Sequence, residues 1–347
     1  MRLRFGLIAV ALVSCGGMAC LPADTRTPPA SLLLRVASAD EPSETTVDGW
    51  TIVVDRLLLG IGSGGLVPGS GGLGLGPTLD WRSCNSYSEG PRYGRLLDAR
   101  LPTDQKLSII FGLGRCYFGF SISSPSDEAL LGETVTQADK DRMAVRGGPD
   151  GTRRGGIAID FAATATRGPE TKQVHWEFRE GRGFTCSRTV AGMPWQPIEL
   201  ESEAILAFHI GIRGAALFAD DASPDATLRF DSFAAADTVY GNADGEITLD
   251  EVGKVTLNVA RRYGLYNAAS VPGAPVGPGI PGTVTLEDYL YRELLSMLVR
   301  MREDVTCISN RPPQRPGDAS VRDAPADEGD ASADEGDASA DEGGAEE

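Results

Sequence analysis

The chain has 347 residues and a formal net charge of −17, with 49 acidic residues against 32 lysines and arginines. Twelve of the acids and one arginine lie in residues 317–347, so the rest of the chain, with 37 acids and 31 bases, is only mildly acidic. This balance excludes a generic nucleic-acid-binding protein, which needs a basic stripe on its surface.

The first 20 residues are typical of a bacterial export signal. Two arginines precede the apolar run 5–13, which is too short to remain in a bilayer as a spanning helix. Residues 12–15, LVSC, resemble the lipobox of secreted lipoproteins, in which the cysteine, here Cys15, is acylated and becomes the new N-terminus. The alternative is an ordinary secretory signal that is cleaved before Cys20.

The lipobox resemblance also implies a location. Gly16 follows the cysteine, and in the family pattern such a residue implies sorting to the outer membrane. No later apolar run reaches the ~18 residues of a membrane span, so the lipid is the only membrane anchor that the sequence predicts. We therefore expect a lipid-anchored protein of the cell envelope, with an envelope protein or a glycan as its partner.

The middle of the chain predicts a mainly β fold. Residues 21–47 mix proline, serine, threonine and acids, which favours a flexible tether; the alternative for Leu32–Leu34 is a short docked strand. In the body, 48–310, short runs of β-type residues are separated by turns too short for crossover helices, so we predict one antiparallel β-sandwich with a few helices. In the run 172–180, the alternation places His175 and Glu177 on the solvent face. The predicted strands cover 51–62, 107–114, 116–122, 155–165, 172–180, 184–190 and 203–212.

Helices are expected chiefly at the C-terminal end of the body. Apolar residues at three- and four-residue spacing predict a helix over 285–302, capped by Thr285 with Asp288 in place of the usual glutamate. Thr136 with Asp139 predicts a second, shorter helix over 136–143. The segment 311–347 repeats ADEGDAS and holds almost no large apolar residue, so we predict a disordered acidic tail.

The body contains four cysteines, Cys84, Cys116, Cys186 and Cys307. An oxidising compartment makes disulfides their expected use, and three pairings are possible. We favour Cys84 with Cys116, which lie in neighbouring segments, and Cys186 with Cys307, which would tie down the C-terminal part of the body. A zinc or copper site is disfavoured because the chain has no CxxC motif and two histidines.

Residues 237–251, DTVYGNADGEITLDE, resemble an EF-hand or dockerin-type calcium loop. Calcium takes about six to eight oxygen ligands, and side chains at alternate positions of such a loop converge on one ion. Gly245 matches the sharp turn at the sixth position, and Ile247 matches the apolar eighth position. Glu246 would offer its main-chain carbonyl oxygen. The predicted ligands are Asp237, Asn242, Asp244, Glu246, Thr248 and Glu251.

The first position of the loop departs from this pattern. The register places Tyr240 where an acid is needed, and Asp237 lies three residues earlier. Asp237 can serve only if residues 238–241 bulge outward, which Gly241 permits. The alternative is a plain turn followed by a helix, because Thr248 and Glu251 also have the spacing of a capping box. A single loop of this type predicts one calcium ion that stabilises the fold.

The wider pattern, from DGW at 48–50 to LEDYLYRELL at 286–295, resembles a family of secreted, calcium-loop-bearing lipoproteins of predatory soil deltaproteobacteria. The resemblance covers roughly 48–310 and implies no particular activity. Catalytic motifs such as GxSxG and HExxH are missing, and His175 and His209 have no serine or cysteine partner nearby in the sequence. We therefore predict a binding or structural protein of the envelope and no enzyme. The alternative is a secreted, carboxylate-based hydrolase of the glycosidase type.

Overall fold

The computed structural model describes residues 28–62, 64–67, 84–87, 94–144, 146–147, 153–154, 156–190, 193–221, 226–256, 285–301 and 305–309. All of them belong to the compact unit Met1–Pro313; the second unit, Gln314–Glu347, lies outside the described residues. The export signal with Cys15 and Cys20 and the acidic tail are likewise outside them. In the described part, none of the helices is long and apolar enough to cross a bilayer.

Strands dominate the described residues, which confirms the mainly β prediction. The strands are β1 (Ala30–Ser38), β2 (Glu44–Thr45), β3 (Thr51–Ile61), β4 (Gly65–Val67), β5 (Cys84–Tyr87), β6 (Arg95–Asp98), β7 (Gln105–Ile122), β8 (Leu130–Leu131), β9 (Arg146–Gly147), β10 (Arg153–Arg154), β11 (Ile159–Arg167), β12 (Glu170–Phe178), β13 (Arg182–Val190), β14 (Met193–Gln196), β15 (Ile198–Leu200), β16 (Ile205–Ile212), β17 (Glu246–Ile247), β18 (Val299–Met301) and β19 (Val305–Ser309). The helices are α1 (Gln137–Met143), a 3-10 helix (Gly214–Phe218), α2 (Asp231–Thr238), α3 (Leu249–Val252), α4 (Leu286–Tyr289), a π-helical turn (Leu290–Leu294) and α5 (Leu295–Met297).

The long strand β7 connects the two layers of this β-sandwich-like fold. Its first half pairs antiparallel with β1, its middle pairs with β5 and β15, and its last part pairs with β4 and β13. β1 continues one layer by parallel pairing with β16, whereas β3, β11 and β12 form an antiparallel group in the other. The sheet is therefore mixed and not purely antiparallel. Its core is lined by fully buried side chains, among them Leu32, Leu34, Ile110, Phe118, Phe161, Trp176 and Phe218.

Two strand predictions need correction. The runs 107–114 and 116–122 are not separate strands, because β7 passes through Arg115 without interruption. The tether predicted over 21–47 is wrong from Ala30 to Ser38, since β1 lies there between β7 and β16 with most of its residues buried. The prolines and acids on either side of SLLLRVA set the composition of the segment, so the sequence indicated at most a short strand at Leu32–Leu34.

The C-terminal helix predicted over 285–302 is also shorter than expected. Thr285 and Asp288 form the predicted capping box at its start. Helical structure ends at Met297, and β18 then pairs antiparallel with β16. The last residues leave the helix because the edge of β16 that does not pair with β1 offers them hydrogen-bond partners in a sheet.

Both favoured disulfides are confirmed. Cys84 is bonded to Cys116, and Cys186 is bonded to Cys307. Cys186 and Cys307 are directly opposite each other on β13 and β19, so this bond fastens the last described strand to the sandwich.

Asp40 caps the 3-10 helix that follows β16. Its carboxylate oxygens accept hydrogen bonds from the backbone N–H groups of Gly214 at 2.7 Å and Ala215 at 3.0 Å. Burial raises the pKa of Asp40 from 3.8 to about 6, and this outweighs the two backbone hydrogen bonds, which lower it. The folded protein therefore holds a proton on Asp40 at a pH where the unfolded chain has lost it.

This raised pKa predicts a pH-dependent stability. The contribution of Asp40 is fully present below the unfolded pKa of 3.8 and is lost as the pH rises through the folded pKa of about 6. Relative to Asp40→Asn, the native protein should lose about 3 kcal/mol of unfolding free energy across that window. Urea unfolding of both proteins at a series of pH values measures the difference. Parallel pH profiles would contradict the raised pKa.

Candidate metal centre

The segment 237–251 is fixed to the sandwich at both of its ends. It begins in the last turn of α2 and ends in α3, and between them β17 pairs in parallel with β12. Gln173 on β12 donates its backbone N–H to the carbonyl oxygen of Gly245 at 2.8 Å. The indole of Trp176, also on β12, donates to the carbonyl oxygen of Ile247 at 3.0 Å. The loop is thus attached to a core strand.

Asp237 lies at the buried base of this loop. One carboxylate oxygen, Oδ2, accepts hydrogen bonds from Lys172 Nζ at 2.5 Å and from the backbone N–H of Gly245 at 3.2 Å. The other oxygen, Oδ1, is buried and has no hydrogen-bond partner. The side chain of Asp237 is fully buried, and that of Lys172 is 7% exposed. Asp237 therefore reaches the turn glycine from its place three residues upstream of the loop's first position.

The extra residues are accommodated by an outward turn. The carbonyl oxygen of Asp237 accepts hydrogen bonds from the backbone N–H groups of Gly241 and Ala243, both at 3.2 Å. Val239, within the turn, is 61% exposed. Tyr240, which the register places at the first position, is partly buried against the apolar core. The structure thus brings Asp237, and not Tyr240, next to Gly245.

Glu251, at the twelfth position, is also buried, and it approaches the same turn from the other side. Its Oε1 accepts a hydrogen bond from the backbone N–H of Asn242 at 3.2 Å. Its Oε2 accepts from the backbone N–H and the hydroxyl of Thr248, at 3.0 and 3.1 Å, which is the predicted capping box. Gly241 must lack a side chain, because a methyl group there would overlap Oε1 of Glu251. Asp237 and Glu251 therefore enclose the turn 241–243.

The other predicted ligands, Asn242, Asp244, Glu246 and Thr248, are exposed. Asp244 accepts hydrogen bonds from the backbone N–H of Glu246 at 2.9 Å and from the side-chain amide of Asn242 at 2.8 Å. These two hydrogen bonds lower the pKa of Asp244. Gly245 has a φ of 90°, which makes the sharp turn that the sixth position requires.

A second charged cluster lies on the outer face of the antiparallel strands. Ligand atoms of Asp160, His175 and Glu177 lie within 4.8 Å of one another, and among the described residues no other set of three or more histidine, cysteine or acidic side chains does so. The carboxylates of segment 237–251 do not meet that condition. His175 Nε2 is 3.2 Å from Asp160 Oδ1. His209, the other histidine, lies elsewhere, with Nε2 3.8 Å from Asp104 Oδ2.

Arginines cover the acids of this second cluster. Asp160 is fully buried beneath Arg56 and Arg142, and both guanidinium groups donate to its Oδ2. Arg142 also pairs with Glu177 at 2.7 Å, and it comes from α1, so the network fastens that helix to the sheet. The alternation in β12 correctly predicted that His175 and Glu177 face outward. Asp160 was missed, although a single acid within an apolar run is a signal that such a residue needs a partner.

Segment 237–251 and the Asp160 cluster are the two candidate cation sites. No known protein family, curated protein or solved structure matches this chain. The choice therefore rests on charge. In the Asp160 cluster the arginine guanidinium groups already neutralise the acids, and they would repel a metal ion.

Segment 237–251 has an excess of acidic over basic side chains, unlike the Asp160 cluster. Its carboxylates outnumber the one basic group that pairs with them among the described residues, Lys172. Two of its candidate ligands, Asp237 and Glu251, form a buried base, and the other four, Asn242, Asp244, Glu246 and Thr248, are exposed at the rim. Oxygen donors of this kind suit calcium better than zinc or copper. This segment is the stronger candidate for a cation site.

Proposed function

We propose that this protein is a lipid-anchored binding or structural protein of the bacterial cell envelope, held at the outer membrane, and that one calcium ion bound by segment 237–251 stabilises its body. The observation that carries the calcium site is Oδ1 of Asp237, a buried carboxylate oxygen without a hydrogen-bond partner. Leaving such an atom unsatisfied costs about 1–3 kcal/mol, so a bound cation would relieve a real penalty.

The surrounding groups favour calcium as that cation. The buried oxygens of Asp237 and Glu251 lie on either side of the turn, while Asn242, Asp244 and Thr248 are exposed and able to rotate toward an ion. Together with the carbonyl oxygen of Glu246, they supply oxygen ligands only, in about the number that calcium takes. An ion at this place would connect the end of α2 to the start of α3.

The envelope location is supported by the sequence and by the cysteines. The LVSC motif at 12–15 favours acylation of Cys15, and two disulfides suit an oxidising compartment. Mass spectrometry of the mature N-terminus tests the anchor. A diacylglyceryl group on Cys15 supports it, and an unmodified chain that begins at Cys20 contradicts it.

Calcium titration by calorimetry tests the metal site. The mature protein should bind one calcium ion with a Kd on the order of 10⁻⁴–10⁻³ M, as extracellular modules do. Asp244→Ala should weaken binding at least about tenfold, because it removes an exposed ligand without disturbing the core. Calcium at about 100 times the Kd should raise the unfolding free energy of the native protein by about 2.7 kcal/mol over the same sample in chelator.

Asp250→Ala is the matched control for this experiment. Asp250 is an exposed acid in the same segment, but it is not among the predicted ligands, so its removal changes the charge equally and should leave one-to-one binding intact. If the native protein gives neither binding heat nor a shift in melting temperature, the calcium proposal is wrong. If Asp244→Ala binds like the native protein, the ion lies elsewhere.

A further inference from the structure

The position of Lys172 bears on how segment 237–251 would bind a cation. Lys172 lies on β12 on the same face as Val174 and Trp176, so its side chain points inward, away from solvent. A charged residue on the apolar face of a core strand needs a buried partner. Its partner is Asp237, at a distance of 2.5 Å between Nζ and Oδ2.

This ion pair places a positive charge at the base of the proposed metal site. The ammonium and a calcium ion would both need the carboxylate of Asp237, and at a separation of a few ångströms in a buried place they repel each other strongly. Glu170, at the start of the same strand, offers the ammonium another acceptor, since its Oε1 lies 3.9 Å from Lys172 Nζ and its side chain is 39% exposed. A short movement of the lysine side chain outward would therefore exchange one carboxylate for the other.

We propose that Lys172 is an internal competitor for calcium: its ammonium occupies the carboxylate of Asp237 and must move toward Glu170 when calcium binds. The inference rests on the proposed calcium site and identifies a residue that sets the calcium affinity of that site. Part of the binding free energy is used to displace the ammonium, so binding is weaker than the ligand set alone would give. Lys172 is thus an affinity-determining residue and not a ligand.

The test compares calcium affinity in the full mature protein and in Lys172→Met. Methionine keeps the length of the side chain and removes its charge, so we expect the Kd for calcium to fall about tenfold or more. Lys172→Gln is the second variant, because glutamine can still donate a hydrogen bond to Asp237 if methionine disturbs folding. Circular dichroism in calcium and in chelator establishes that each protein is folded before the titration.

Lys254→Met is the matched control. Lys254 is an exposed lysine just after α3, so its removal changes the net charge equally without freeing Asp237. Tighter binding in the Lys172 variants alone supports the proposal. Equal tightening in Lys254→Met, or unchanged affinity in both Lys172 variants, overturns it and leaves the calcium site itself standing.

Two further outcomes concern a native protein that binds no calcium. If the native protein binds no calcium but Lys172→Met does, Lys172 is a competitor that prevents binding, and the proposed function falls while this inference holds. If none of the proteins binds calcium, both are overturned.

Discussion

Replacing Asp237 by alanine is expected to lower the free energy of unfolding by about 3–5 kcal/mol, because the ammonium of Lys172 would lose its buried counter-charge and keep only the partly exposed Glu170 as an acceptor. The pair is nearly inaccessible to water, with side-chain exposures of 0% for Asp237 and 7% for Lys172. The backbone N–H of Gly245 would lose its acceptor as well. Urea unfolding in a buffer that contains a chelator measures the effect without any contribution from calcium.

A double-mutant cycle identifies the ion pair as the cause. Lys172→Met combined with Asp237→Ala removes both charges, so the double variant should be destabilised by clearly less than the two single variants added together. Asp250→Ala, an exposed acid of the same segment, should change the unfolding free energy by less than about 0.5 kcal/mol. A loss below about 1 kcal/mol in Asp237→Ala would show that the buried pair matters little.

Local patterns in the sequence were enough to predict much of the sheet. Apolar and polar residues alternate in β12, and the structure buries Val174, Trp176 and Phe178 while His175 stays exposed. Period-two alternation fixes which side of a strand faces the core, and this requires no knowledge of the strand's neighbours. The capping boxes at Thr136, Thr248 and Thr285 were readable for the same reason, since each depends on residues three positions apart.

Patterns that depend on distant partners were not readable. β1 is a strand because β7 and β16 lie on either side of it, and its paired residues in those strands are at least 69 positions away in sequence. Composition made the same residues resemble a tether. The change from helix to strand after Met297 has a similar cause, since the edge of β16 offers those residues a partner that helical periodicity does not reveal.

The residues of the candidate site also differ in whether the sequence alone could predict them. Asn242, Asp244, Thr248 and Glu251 are close in sequence, so their spacing alone suggested calcium. Lys172 is 65 residues from Asp237. Its contact depends on the pairing of β12 with β17, which no spacing rule gives. The charge on the inward face of β12 was a usable signal, because a buried lysine requires a partner even before that partner is known.

Trp176 connects this site to the core, and its replacement by alanine should be as damaging as the loss of Asp237. The indole is fully buried, with ring centroids of Phe161, Phe218 and Phe233 at 5.7, 5.7 and 5.6 Å. Removing a buried aromatic side chain of this size costs about 3–5 kcal/mol in unfolding free energy. Chemical denaturation of Trp176→Ala measures this loss. Circular dichroism is used to monitor unfolding, because the substitution changes the tryptophan fluorescence.

Trp176→Phe separates packing from the support that the indole gives to the loop. Phenylalanine retains most of the aromatic contacts but cannot donate to the carbonyl oxygen of Ile247, so this hydrogen bond is lost at a cost of about 0.5–1.5 kcal/mol. Phe184→Leu, at a buried position on β13, is the control for a moderate core defect. If β12 holds the loop in its binding geometry, Trp176→Phe weakens calcium binding and Phe184→Leu does not. Equal calcium affinities in the two variants would mean that segment 237–251 keeps its geometry through its own turns and caps, without help from the sheet.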